Sequence, residues 1–227
     1  MIEYINCLSV AEELNAQTLS VLNGEHPLLC IACAGKKADD EVYIRGVKKD
    51  ADRIGILVSE EQSTGADGVL LIGDKNYWNN SVSFNKRDVD GATNSSPYTP
   101  AVTEAIWRVI FSRILKTNLA GENVTVIGRG TVGHSVANML LGANATVSIA
   151  HSKTSRDQLD KLLAASDIVV CAAGNGTKFG AGALADGAIL IDVSNSFVFD
   201  DLNKTELRKL IVTPRRTALA LLREQSF

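Results

Sequence analysis

The second half of the chain alternates apolar segments with segments of helical periodicity. Apolar segments of strand length begin near residues 123, 145, 168 and 187, and helix-like segments separate the first three. Strands separated by helices of this length form parallel β-α-β units. We therefore predict a doubly wound parallel sheet for this half of the chain.

A glycine-rich turn lies between the first of these strands and the helix that follows it. The turn reads GRGTVG and has its glycines at 128, 130 and 133, in the spacing G-x-G-x-x-G. The first glycine permits a tight turn, the second lets the backbone approach a pyrophosphate, and the third lets the helix pack closely on the strand. The motif requires a strand before it and a helix after it, and both are predicted here. A glycine turn in an α/β domain that binds no nucleotide is the alternative.

The end of the second strand bears on which dinucleotide such a site would take. An NAD site usually has an acidic residue there, about 20 residues after the glycines, to hold the ribose 2′-hydroxyl. This chain has His151, Ser152, Lys153 and Thr154 instead, and Arg129 stands inside the glycine turn. Cations and hydroxyl donors suit a 2′-phosphate. The sequence therefore favours NADP over NAD, although His151 could equally be a capping or packing residue.

The first half is also predicted to be α/β. Strands are expected at 28–34, 55–59 and 68–73, a short helix within the segment 40–56, a long polar loop over 74–98, and a helix that begins at Thr99 and Pro100. Cys30 and Cys33 form a C-x-x-C inside the first of these strands. Residues three apart on a strand point to opposite faces, so we interpret both as core residues, and no metal site is predicted.

Composition excludes several classes of function. The net charge of −3 gives no bulk attraction to nucleic acid or to an anionic membrane. No apolar run approaches the roughly 20 residues that a membrane span needs. The N-terminus lacks the basic region of a signal peptide, and four scattered cysteines do not form a disulfide framework. We expect a cytoplasmic protein that binds neither nucleic acid nor membrane.

A series of motifs occurs in one order along the chain: DVDG (88–91), PYTP (97–100), VIGRGTVG (126–133), NATVSIAHSKT (144–154), SDIVVCAAG (166–174), GAILIDV (187–193) and VTP (212–214). In this order the sequence resembles the bifunctional methylenetetrahydrofolate dehydrogenase/cyclohydrolase family. NATVSIAHSKT is the most specific of the motifs, and the resemblance extends from about residue 28 to residue 220.

The resemblance implies two lobes with a cleft between them. Residues 1–116 would form a folate-binding lobe, joined by a C-terminal helix over 214–227, and residues 117–213 would form the Rossmann domain for NADP. Hydride would pass from methylenetetrahydrofolate to NADP, and water would then open the methenyl product to 10-formyltetrahydrofolate. The family also implies a homodimer formed through the Rossmann lobe.

The resemblance assigns site residues in both lobes. Tyr43 would stack beside the folate, and Asp90 of DVDG would bind the pterin, although DVDG is also an ordinary turn sequence. The cofactor site would consist of the glycine turn and the ends of the next two strands: Gly128, Arg129, Gly130, Thr131, Val132, Gly133, His151, Ser152, Lys153, Thr154, Ala173 and Gly174.

Two departures from the family concern proton transfer. The family has a lysine four residues after its tyrosine and a glutamine on the strand before the long loop. These positions are Val47 and Ile72 in this chain. Lys48 and Lys49 are offset from Tyr43 by about 140° and 240° around a helix, so an unbroken helix would not direct either of them to the same ligand.

The departures leave three hypotheses open. We expect an NADP-dependent dehydrogenase of this family in which the cyclohydrolase activity is doubtful or lost. The alternatives are an NADP- or folate-binding protein without catalysis, and a related two-lobed NADP oxidoreductase that acts on another small substrate.

Overall fold

The structure is a computed structural model, and it divides by its contacts into two compact units. One contains Ser9–Glu104, and the other contains Met1–Leu8 and the described chain from Ala105 to a strand at 209–212. The structure describes residues 3–5, 8–35, 38–61, 65–73, 75–80, 88–93, 96–111, 118–173, 178–194, 199–200 and 209–212.

The unit of Ser9–Glu104 has a three-stranded parallel sheet. Its elements are α1 (Leu8–Leu22), β2 (Leu28–Ala34), α2 (Ala38–Arg53), β3 (Leu57–Ser59), β4 (Gly68–Gly73), α3 (Lys75–Asn79) and α4 (Ala101–Ala105). The strand order is β3-β2-β4, so β2, the first of these three strands along the chain, lies in the centre. A π-helical segment, Ile106–Phe111, follows α4 directly, at the division between the two units.

The other unit contains a six-stranded sheet in which all strands are parallel. Its elements are β1 (Glu3–Ile5), β5 (Asn123–Ile127), α5 (Thr131–Gly142), β6 (Thr146–Ala150), α6 (Arg156–Ala164), β7 (Ile168–Cys171), β8 (Phe179–Gly180), a 3₁₀ turn (Ala181–Ala183), β9 (Ile189–Asp192), β10 (Phe199–Asp200) and β11 (Lys209–Val212). β8 and β10 form a separate parallel pair.

The strand order of the large sheet is β1-β11-β9-β7-β5-β6. The chain runs from β5 outward to β6 and then returns to β7 on the other side of β5. This reversal makes the sheet doubly wound, with its topological switch point between β5 and β7. The predicted fold class, α/β with a Rossmann-type parallel sheet, is confirmed.

The structure differs from the sequence-based expectations in several elements. β1 pairs with β11, so the first residues join the large sheet and not the N-terminal lobe predicted over 1–116. A three-residue strand is too short for a periodic pattern, and its pairing partner lies about 200 residues away in the sequence. The region 74–98, predicted as a long loop, contains α3 and an isolated bridge between Asp88 and Val69. The predicted strand 145–154 ends at Ala150.

The C-x-x-C lies on β2, as predicted for core residues. Cys30 is fully buried and packs in a cluster with Ala32, Val69, Leu71 and Trp78. Cys33 is half-buried, so the predicted core position is confirmed for Cys30 only, and neither residue forms a disulfide. Within the part of the chain that the structure describes, no helix is both long enough and apolar enough to cross a bilayer. The predicted C-terminal helix 214–227 lies outside the described residues.

Candidate functional site

Gly128 directly follows β5 and has a conformation that glycine alone adopts readily. Its φ angle is +110°, and a Cβ atom built on it would lie 2.5 Å from the carbonyl oxygen of Ala172, at the end of β7. Its N–H donates to the carbonyl oxygen of Ala150, at the end of β6, at 2.8 Å. The carboxyl ends of β5, β6 and β7 are therefore brought together around this glycine.

The other two glycines of the turn, Gly130 and Gly133, differ in whether packing requires a glycine at their position. A Cβ on Gly133, in the first turn of α5, would lie 2.1 Å from the carbonyl oxygen of Gly128, so the helix packs directly on the loop. Among the described atoms, none lies within 4 Å of the place of a Gly130 Cβ, and the φ angle of Gly130 is −70°. Among the described residues, neither backbone conformation nor packing requires glycine at 130, as the G-x-G-x-x-G motif predicts for a backbone that a ligand approaches.

The start of α5 is suited to an anion. Gly130 occupies the N-cap position, and no described side chain caps the helix. The first N–H groups of the helix therefore point toward the glycine turn, where the helix dipole favours negative charge. Thr131 and Arg129 are exposed beside these N–H groups, and Val132 is half-buried. The residues present fit the pyrophosphate of a dinucleotide.

The segment HSKT forms a tight turn at the end of β6, where the sequence predicted the last residues of a strand. Thr154 N–H donates to the carbonyl oxygen of His151 at 2.8 Å, and Thr154 Oγ1 accepts from the N–H of His151 at 3.0 Å. The N–H of Lys153 donates to His151 Nδ1 at 3.2 Å. Thr154 and His151 thus hold the turn together, and this turn leaves the side chains of Ser152 and Lys153 exposed.

The predicted cofactor residues thus lie at one edge of the sheet, at its switch point, where open α/β sheets bind ligands. Ala173 is half-buried beyond the end of β7, and its neighbour Ala172 donates its N–H to the carbonyl oxygen of Ile127 at 2.8 Å. Gly174 lies outside the described residues.

A buried carboxylate at the end of β9 was missed by the sequence reasoning. Asp192 is 2% exposed, and its Oδ1 accepts from the N–H of Ser194 at 2.9 Å and from its hydroxyl at 2.5 Å. Burial raises the pKa of the neighbouring Cys171 thiol to about 12, opposed by the N–H of Ala173 and assisted by the charge of Asp192. The raised pKa disfavours the thiolate form of Cys171. An acid that ends an apolar strand, as in AILID, was the available signal.

The N-terminal unit places Tyr43 and Val47 on α2. Tyr43 is half-buried in the second turn of the helix, whereas Val47 is 6% exposed and belongs to the core. Lys48 Nζ lies 2.6 Å from Oε1 of Glu60, and Lys49 is exposed. The position of the family lysine is therefore an apolar core position in this structure.

The position of the family glutamine is apolar as well. Ile72 is 8% exposed near the end of β4, and its carbonyl oxygen accepts a hydrogen bond of 3.0 Å from Nε1 of Trp78. Trp78, on α3, is itself buried in the hydrophobic cluster against which Ala92, just after the DVDG turn, also packs. Tyr77 stands edge-on to Trp78 with ring centroids 4.8 Å apart and is exposed.

The motifs DVDG and PYTP form one structural feature. Gly91 has a φ angle of +60°, and a Cβ on it would lie 2.3 Å from the carbonyl oxygen of Tyr98. Asp90 Oδ1 accepts a hydrogen bond of 2.8 Å from the N–H of Ala101, the first residue of α4. Burial raises the pKa of Asp90 to about 7, the Ala101 N–H lowers it, and the charge of Asp88 raises it. Asp90 is thus a half-buried carboxyl that titrates near neutral pH.

The acidic residues of this turn have different partners. Asp88 is fully buried, and its two carboxylate oxygens accept from the N–H and hydroxyl of Thr93 and from the N–H of Asp90. Asp90 was the predicted site residue, and no sequence pattern distinguished Asp88 from an ordinary turn residue. Among the described residues, no group of three or more His, Cys, Asp or Glu side chains is placed to hold a metal ion.

Comparison with known proteins places these features in a family. Residues 100–210 match the model of the tetrahydrofolate dehydrogenase/cyclohydrolase NAD(P)-binding domain. The bifunctional protein FolD of Thermotoga petrophila is 30% identical over 231 residues, an alignment that covers 86% of this chain and 83% of that protein. The identity and coverage of this relative establish the family.

Solved structures show the same fold. The NAD-dependent 5,10-methylenetetrahydrofolate dehydrogenase of Saccharomyces cerevisiae superposes with a TM-score of 0.82 at 18% identity, covering 99% of this chain and 96% of that one. The bifunctional FolD enzyme of Campylobacter jejuni gives a TM-score of 0.79 at 18% identity, with 100% and 97% covered. The matched domain confirms an NAD(P) cofactor, the coarser form of the predicted NADP, and with the relatives it confirms the predicted enzyme class, an NAD(P)-dependent dehydrogenase. The chain belongs to the tetrahydrofolate dehydrogenase/cyclohydrolase family.

Proposed function

We propose that the protein is an NADP-dependent methylenetetrahydrofolate dehydrogenase that has lost cyclohydrolase activity. One contrast carries this proposal. The glycine turn at the switch point of the large sheet keeps the geometry of a dinucleotide site, whereas the two family positions for proton transfer, Val47 and Ile72, are buried and apolar.

The large-sheet unit would bind the dinucleotide. When bound, the nicotinamide accepts a hydride from the methylene carbon of the substrate, and this step needs positioning more than proton transfer. The N–H groups at the start of α5 and the open backbone at Gly130 would hold the pyrophosphate. The absence of an acid in the described turn after β6, together with exposed Lys153 and Arg129, supports a 2′-phosphate and therefore NADP.

The unit of Ser9–Glu104 would bind the folate, as the family resemblance implies for the N-terminal lobe. Tyr43 would stack beside it, and Asp90 would accept hydrogen bonds from amide-type donors of the pterin. The bridge between Asp88 and Val69 supports this arrangement, because it runs the DVDG turn parallel to β4 and so brings Asp90 toward the carboxyl end of that strand. Ligands of parallel sheets bind at that edge.

Loss of the second activity follows from the absent proton-transfer groups. Opening of the methenyl ring by water needs protons to be moved, and a positioned acid or base typically contributes about 10²–10⁴-fold to such a step. Lys48 is not expected to replace the missing lysine, because it is offset by about 140° from Tyr43 around α2, and its ammonium group contacts Glu60. The double replacement by Val47 and Ile72 also supports a second candidate, a protein that binds NADP and folate without turnover.

Two assays on the same preparation test the proposal. Formation of NADPH from NADP and methylenetetrahydrofolate is expected, with hydrolysis of methenyltetrahydrofolate close to the uncatalysed rate. Binding of both ligands without NADPH formation would support the non-catalytic alternative, and rapid hydrolysis would refute the loss of cyclohydrolase. The double variant Val47→Lys, Ile72→Gln is the sharper test, because a gain of hydrolysis in it would identify these positions as the cause.

We also propose that the protein is a homodimer formed through the large-sheet unit. The family resemblance supports this, as does the position of β6, an edge strand of the large sheet on which Ile149 is 40% exposed. Sedimentation should show a dimer, and Ile149→Lys should shift it toward the monomer because a charge on an edge strand opposes pairing.

A cytoplasmic location is proposed on chemical grounds. None of the three described cysteines, Cys30, Cys33 and Cys171, forms a disulfide, which is usual in a reducing compartment. Cell fractionation with an antibody to the protein tests this location.

A further inference from the structure

Asp88 is a buried carboxylate with hydrogen-bond donors on both oxygens. Oδ2 accepts from the N–H of Thr93 at 2.7 Å and from its hydroxyl at 3.0 Å, and Oδ1 accepts from the N–H of Asp90 at 3.2 Å. A charge at 0% exposure is costly unless it is paired or hydrogen-bonded, and these three donors compensate it.

The backbone of Asp88 and Val89 also joins the turn to two other segments. The N–H of Val89 donates to the carbonyl oxygen of Val69 on β4 at 3.0 Å, and the hydroxyl of Ser96 donates to the carbonyl oxygen of Asp88 at 2.7 Å. The turn is therefore fixed against the sheet on one side and against the chain that leads to α4 on the other.

The consequence of this arrangement falls on Asp90. Its N–H is held by Asp88 Oδ1, and its own Oδ1 reaches the N–H of Ala101 at 2.8 Å. Asp88 fixes the backbone of Asp90, and Ala101 fixes one oxygen of its carboxylate. The second carboxylate oxygen of Asp90, Oδ2, therefore has a defined direction. A ligand that binds through paired hydrogen bonds depends on such a direction.

We propose that Asp88 is a positioning residue for the substrate site, because it holds Asp90 against the start of α4 in the orientation that binds the folate. The folate part of this inference rests on the function proposed above, whereas the link from Asp88 to the Asp90–Ala101 contact does not. If Asp88 were only structural, its removal would destabilise the unit, but it would not weaken ligand binding more than the loss of any other buried hydrogen bond does.

The variant Asp88→Asn tests this role with little change of volume. An amide presents an oxygen on one side only, so its NH₂ group faces either the Thr93 donors or the Asp90 N–H. Thr93→Val is a milder second variant, since it removes the hydroxyl and leaves the N–H. Asp67→Asn is a control for the loss of an exposed carboxylate: Asp67, just before β4, accepts a backbone N–H on its Oδ2, that of Leu28 at 2.8 Å.

Hydrogen exchange of the Ala101 amide, measured without ligand, is the first readout. We expect Asp88→Asn to accelerate it on the order of tenfold, the effect of losing one buried hydrogen bond, with a smaller acceleration in Thr93→Val. The exchange should be unchanged in Asp67→Asn. An unchanged Ala101 amide in Asp88→Asn would overturn the positioning role, whatever the protein binds.

Affinity for 5-formyltetrahydrofolate is the second readout, with affinity for NADP as the reference. Asp88→Asn should lower the affinity for 5-formyltetrahydrofolate on the order of tenfold and change the affinity for NADP by less than about twofold. Equal losses for both ligands, or an accelerated Ala101 amide with unchanged folate affinity, would overturn the role in the substrate site. If the unmodified protein binds no folate while the Ala101 exchange behaves as expected, the proposed function fails and the contact made by Asp88 stands.

Discussion

Lys48 and Glu60 form an ion pair in which Nζ of Lys48 lies 2.6 Å from Oε1 of Glu60. The pair connects α2 with the residue that follows β3, and both side chains are more than 40% exposed. Lys48 is adjacent to Val47, and Val47 is the position at which the family resemblance places the lysine that serves both activities. Lys48, the lysine nearest to Val47 in the sequence, is therefore paired with Glu60. Its closeness to Val47 in the sequence does not by itself indicate a catalytic role.

Removal of this lysine should leave the dehydrogenase unaffected. We expect Lys48→Met to change kcat/KM for NADPH formation by less than about twofold and the free energy of unfolding by less than about 1 kcal/mol, because exposed ion pairs contribute little. Lys49→Met is the matched control on the same helix. A large loss of activity in Lys48→Met, but not in Lys49→Met, would show that Lys48 serves the reaction.

Two glycines of the cofactor turn should respond differently to alanine. Gly130→Ala should leave the free energy of unfolding nearly unchanged and weaken NADP, because the added methyl group meets no described protein atom and occupies space where the pyrophosphate approaches. Gly133→Ala should destabilise the protein by roughly 1–3 kcal/mol, since its Cβ would overlap the carbonyl of Gly128.

Urea denaturation and NADP titration of both variants check this contrast. Gly46→Ala is a control of the same substitution in α2, where no described atom lies within 4 Å of the new Cβ and helix propensity should stabilise slightly. Equal destabilisation of the Gly130 and Gly133 variants would contradict the assignment of Gly130 to ligand approach.

The preference for NADP should depend on two exposed cations. Arg129→Ala and Lys153→Ala should each weaken NADP by about tenfold, while NAD changes little, because only NADP carries the 2′-phosphate that a cation recognises. Added salt should reduce the difference in affinity between NADP and NAD, because it screens the attraction between the cations and the 2′-phosphate. Lys161→Ala, an exposed lysine on α6, serves as the control. A protein that binds NAD as tightly as NADP before any substitution would contradict the preference.

The sequence predicted the large-sheet unit well because its information is local. The strand, the glycine turn and the helix are adjacent in sequence, and the roles of Gly128 and Gly133 follow from their spacing. Contacts between distant segments were not predictable in this way. The pairing of β1 with β11 and the bridge between Asp88 and Val69 depend on segments that meet only in the fold.

The pH dependence of stability should reveal the Asp90 carboxyl. Burial raises its pKa from 3.8 to about 7 in the folded protein, so between these values the folded state holds a proton that the unfolded chain releases. Its contribution to stability is therefore fully present below pH 3.8 and is lost as the pH rises through about 7. Asp90→Asn removes this titration, so wild type should lose stability relative to the variant across that range, by at most roughly 4 kcal/mol. Urea denaturation of both proteins at a series of pH values measures the difference, and parallel curves would contradict the raised pKa.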